Sequence, residues 1–114
     1  MLCLMIIKTQ LGSSALADER LKTDCHNTLE KARLWIRATD FNAPEEEKTR
    51  VKSAINIANQ ACRLAKESAP DDGEVLVNSA YALFAAEKKK EAVKLIQAAS
   101  EIGYPPAMVM MARY

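Results

Sequence analysis

A recurrence of small side chains constrains this 114-residue chain more than any other feature. Ala58, Cys62, Ala65 and Pro70 are each followed, 34 residues later, by Ala92, Ile96, Ala99 and Tyr104. The first three members of each set recur at steps of three or four, which places them on one face of a helix. A face of alanine and cysteine lets a neighbouring helix approach closely, whereas a large side chain there would hold the two backbones apart. Ala80 and Ala92 stand twelve residues apart across a turn, the spacing that a close crossing of paired helices requires. The pattern predicts antiparallel helix pairs stacked in a row, because an array needs about three repeats to form a continuous core.

Composition agrees with an all-α fold. Apolar residues make up 49% of the chain but aromatic residues only 5%, and glycine and proline are scarce. That mix favours helices packed through small side chains. β-branched runs and Asn-Gly hairpin turns are lacking. At this length roughly two thirds of the unfolded surface can be buried, so a core forms without a metal.

About five helices are expected, the last one short. The first runs from Asp18 to Ala38, with Leu21, Cys25, Leu29, Ala32 and Ile36 on one stripe and Trp35 at its edge. The break Thr39 to Pro44 precedes a second helix reaching Ser68, and Glu45, Glu46 and Glu47 suit its positive end. Its stripe is Val51, Ala54, Ile55, Ala58, Cys62 and Ala65. Pro70-Asp71-Asp72-Gly73 is a turn, with fixed proline φ, capping aspartates and a permissive glycine. The third helix spans Glu74 to Ala86, the fourth Glu91 to Ile102, and Lys88-Lys89-Lys90 forms a solvated turn between them. Gly103 suits the left-handed residue after a helix, and the fifth helix begins near Pro106. Either the natural chain continues beyond it, or residues 106–114 form a capping helix over the preceding pair.

The N-terminus reads as a processing segment or a disordered tail. Leu2 to Ile7 is apolar but too short to span a bilayer, and Ala15-Leu16-Ala17 is a small-x-small cleavage pattern before the charged Asp18-Glu19-Arg20. Cleavage after Ala17 would leave residues 18–114 as one helical domain in the periplasm or outside the cell; a cytoplasmic location is the alternative. It would also leave two cysteines, Cys25 and Cys62. Two readings stay open for them: a disulfide joining the first two helices, or two buried thiols acting as small hydrophobes.

Sixteen basic residues against fifteen acidic give a net charge of +1, which does not suggest a nucleic-acid partner, because phosphate binding needs an electropositive face. No motif for a cofactor is present, and two cysteines with one histidine lack zinc spacing. Cys25 and His26 are adjacent, so on a helix they point about 100° apart and do not pair as nucleophile and base. Met108, Met110 and Met111 read as core filler or as an adaptable contact surface.

The 34-residue register resembles the tetratricopeptide repeat, with Leu76 and Ala80 in its large and small places. The closing stretch resembles the Sel1-like variant: Ala92, Leu95, Ala99-Ser100, Gly103, Ala107 and Met111-Ala112 fill that pattern in register, with Leu95 in place of the aromatic. The likeness extends over residues 51–114 and resembles exported bacterial proteins with Sel1-like repeats. It implies an α-solenoid that binds another protein or peptide on a concave face lined by Glu74, Val77, Tyr81 and Phe84. Basic and asparagine positions used by some family members to clamp a peptide's carboxylate are unmatched, with Val77 where a charge is wanted. The expected function is a non-catalytic interaction module, without cofactor, metal or stable membrane insertion. The alternative is an accessory region of a larger enzyme whose catalytic part lies outside this sequence.

Overall fold

The structure, a computed structural model, describes the backbone of residues 2–113 and the side chains of residues 17–113. It contains five helices and, among the described residues, no strand: α1 (Leu2–Ala38), α2 (Glu45–Ser68), α3 (Gly73–Ala85), α4 (Lys89–Glu101) and α5 (Pro105–Ala112). Helix α1 begins upstream of the expected Asp18, in a stretch that no proline interrupts. The side chains of the expected cleavage segment before Ala17 lie outside the described residues.

The helix ends follow local chemistry. Helix α2 starts on Pro44, with three glutamates in its first turn. Asp72 caps α3, its carboxylate accepting the Val75 N–H at 3.2 Å. Gly73 therefore opens the helix instead of staying in the turn. Only Lys88 of the lysine triplet remains outside a helix; Lys89 and Lys90 form the exposed first turn of α4. The reversal is made by Glu87, at φ 64°. Gly103 takes the expected left-handed conformation, φ 86°, and Tyr104-Pro105 starts α5.

Each helix packs on the next, and α1 also touches α3. Two buried clusters result. In the first, Cys25, Leu29 and Ala32 of α1 meet Ala58, Cys62 and Ala65 of α2, joined by Val75 and Ala82 of α3. In the second, Leu76, Val77 and Ala80 of α3 meet Ala92, Ile96 and Ala99 of α4 and Ala107 of α5. Tyr81 packs against both. Ala80 and Ala92 are each fully buried, as a close crossing requires.

The α1 stripe is covered only in part. Trp35 and Ile36 are 36% and 39% exposed. A disulfide joins Cys25 to Cys62, which ties α1 to α2 with Cα atoms 4.4 Å apart. The pair stands at disulfide distance, in keeping with the first of the two readings of the cysteines.

Candidate functional site

The four residues expected on a concave face have different surroundings. Glu74 is exposed and its carboxylate lies 3.2 Å from Lys22 Nζ. Val77 is buried in the second cluster and does not line an open groove. Tyr81 is half-buried: its hydroxyl donates to Met110 Sδ at 3.8 Å, and the Arg33 guanidinium sits 5.0 Å from its ring centroid. Phe84 is half-buried against the second cluster. The face where α1 and α3 meet thus presents Glu74 and the rim of Tyr81, with Val77 and most of Phe84 serving as core.

Three residues on this face carry weaker sequence signals. Lys22 bridges α1 to the α3 cap, 2.9 Å from Asp72 Oδ2. The Asp72 hydrogen bond, aided by Glu74 against the opposing effect of burial, raises the Lys22 ammonium above its ordinary value. Burial pushes the Asp72 carboxyl up, but hydrogen bonds from Lys22 and from the Val75 N–H outweigh it and hold the group below its ordinary value. Arg33 reaches across from α1 to Tyr81. Asn78 lies four residues after Glu74 and three before Tyr81, and its buried amide nitrogen has no hydrogen-bond partner among the described residues. Charge periodicity alone does not reveal these cross-helix contacts, because each depends on how α1 lies against α3.

The remaining chemistry is dispersed. Cys25 is fully buried in its disulfide while His26 is exposed, so the two do not form a thiolate–imidazole pair. No group of three His, Cys, Asp or Glu residues that would hold a metal is present among the described residues. No described helix is long and apolar enough to cross a membrane.

Concavities among the described residues lie elsewhere. A small one of about 240 Å³ sits between α1 and α2, beside Trp35 and Ile57. A larger cleft of about 630 Å³ lies between α2 and the α3–α4 pair, with Arg63, Lys66, Lys88 and Lys94 around it. Compared with known proteins, the chain matches no family model, no curated protein and no solved structure.

Proposed function

We propose that the chain is a non-catalytic protein–protein interaction module built from tetratricopeptide-like and Sel1-like helix pairs, working in the periplasm or as a secreted protein. The observation that carries this reading is that three of the four pairs in the 34-residue register are buried, one member of each in α2 and the other in α4. Ala58, Cys62 and Ala65 in α2, and Ala92, Ile96 and Ala99 in α4, are all at most 1% exposed. Recurrence in sequence thus coincides with recurrence in packing, as stacked repeats require. Contact of α1 with α3, and the hydrogen bond from Tyr81 in α3 to Met110 in α5, support the same reading. The Cys25–Cys62 disulfide supports an oxidising compartment.

A photo-crosslinking amino acid in place of exposed Glu74, with exposed Lys52 as control, tests the proposal. A discrete protein adduct from position 74 and none from position 52 is expected after irradiation in the native cell envelope. Loss of every adduct at both positions, with the variants still folded by circular dichroism, would sink it.

A further inference from the structure

We infer that the cleft between α2 and the α3–α4 pair binds an extended, acidic peptide segment carrying at least one apolar side chain. The volume, about 630 Å³, lies within the range of evolved ligand sites. Its lining on α2 runs from Asn56 to Lys66. Ten residues of helix rise through about 15 Å, the length of four or five residues of extended chain at about 3.3 Å each.

Charge selects the ligand. Arg63 and Lys66 come from α2, Lys88 from the start of α4 and Lys94 from its second turn; Glu91 is the single acid on the lining. None of the four cations has an ion-pair partner among the described residues, although Lys22, Arg33, Lys48 and Arg50 all have one. The start of α4 adds positive potential, because no side chain caps its N-terminus at Lys88. Four cations and an open helix end, on a protein of net charge +1, concentrate positive potential in one concavity.

The floor selects against a bare inorganic ion. Leu83, Ala86 and Leu95 line it. Two of its polar groups already have internal partners: the Asn59 amide donates to Ile55 O and Ala82 O at 3.0 and 2.9 Å, and the Ser79 hydroxyl donates to Cys62 O at 3.3 Å. Apolar surface below and unpaired cations at the rim complement carboxylates that flank a leucine-like side chain. The interaction-module reading supplies only the choice of a peptide as occupant. The cleft opens beside α2 and α4, and Glu74 does not line it, so failure here leaves crosslinking at position 74 untouched.

The test is a fluorescence-anisotropy titration of the disulfide-intact chain with a fluorescein-labelled pentapeptide alternating glutamate and leucine. Saturable binding is expected, weakening steeply as salt rises from about 50 to 500 mM. R63E/K94E lowers the affinity at least about tenfold, and L95Q lowers it several-fold while circular dichroism stays unchanged. A lysine–leucine peptide of the same length does not bind. The proposal is overturned by no saturation at about 1 mM protein, by equal binding of the lysine peptide, or by indifference to the charge reversals. Equimolar displacement by inorganic phosphate overturns it too, since that marks a simple anion site.

Discussion

The helix pairs α1–α2 and α3–α4 bury equivalent positions by different means. In α1–α2, Leu29 packs among small residues and the Cys25–Cys62 bond closes the contact, while Leu34, Trp35, Ile36, Phe41 and Ile57 remain exposed. In α3–α4 no covalent link is present; Leu76 and Ile96 fill the space, and α5 covers them with Ala107, Met110 and Met111. The difference shows what a neighbour contributes. A pair covered on both flanks, by α2 and by α5, obtains its stability from packing. A pair covered on one flank by the described residues is held by a cross-link.

The sharpest way to break this comparison is to remove the bond. C25S/C62S opens a loop of 37 residues, and the chain-entropy account puts the loss at about 4 kcal/mol. Urea denaturation measures it, and native-state hydrogen exchange is expected to show the loss first in α1 and α2. Equal loss of protection in α4 would mean that the two pairs do not differ as described. The reciprocal variant, Ile96→Ala, opens a cavity at a fully buried site and costs about 3 kcal/mol. Its exchange signature belongs in α3 to α5; a cost below about 1 kcal/mol would show that α5 collapses onto the vacancy.

A smaller effect tests how the turns are seated. A Cβ on Gly73 would overlap the Tyr104 side chain, so Gly73→Ala lowers stability by about 2 kcal/mol. In a Tyr104→Ala background the penalty shrinks; additivity of the two changes by thermal melting would disprove the contact.

The smallest effect concerns the clasp between α1 and α3. Asp72→Ala removes a helix cap and the partner of Lys22, a loss of about 1 kcal/mol at neutral pH. Because folding lowers the Asp72 value, its contribution is present above the ordinary carboxylate range and disappears as pH falls through the depressed folded value. Because folding raises the Lys22 value, that contribution is complete below 10.5 and is lost as pH rises through the elevated folded value. The stability gap between wild type and D72A, followed by urea melts across pH, is therefore a plateau that closes at both ends. A gap that closes at the acid end but not at the alkaline end would show that the cap matters and the Lys22 pair does not.

Helix positions were legible because caps and apolar spacing are local. The Pro44, Asp72 and Gly103 signals all mark real helix ends, and Ala80 and Ala92 lie buried as their spacing implied. The start of α3 at Gly73 and of α4 at Lys89 was misplaced by one or two residues, since a capping aspartate and one left-handed glutamate can end a turn sooner than composition suggests. The candidate groove was less legible. Val77 and Tyr81 sit on one stretch of helix, yet the first is buried in the cluster that α3 forms with α4 and α5, and Arg33 of α1 stacks on the second. Exposure of a helix face depends on elements distant in sequence.

What the sequence determined by itself was the identity of the elements and the closeness of their contacts, because side-chain size and helical period act within a few residues. Only the tertiary structure decided which apolar residues stay uncovered, that Cys25 and Cys62 meet at bonding distance, and that four cations of α2, α4 and the turn before α4, without ion-pair partners among the described residues, surround one cleft. Those outcomes depend on the angle and depth at which whole helices meet, and no local pattern encodes that geometry.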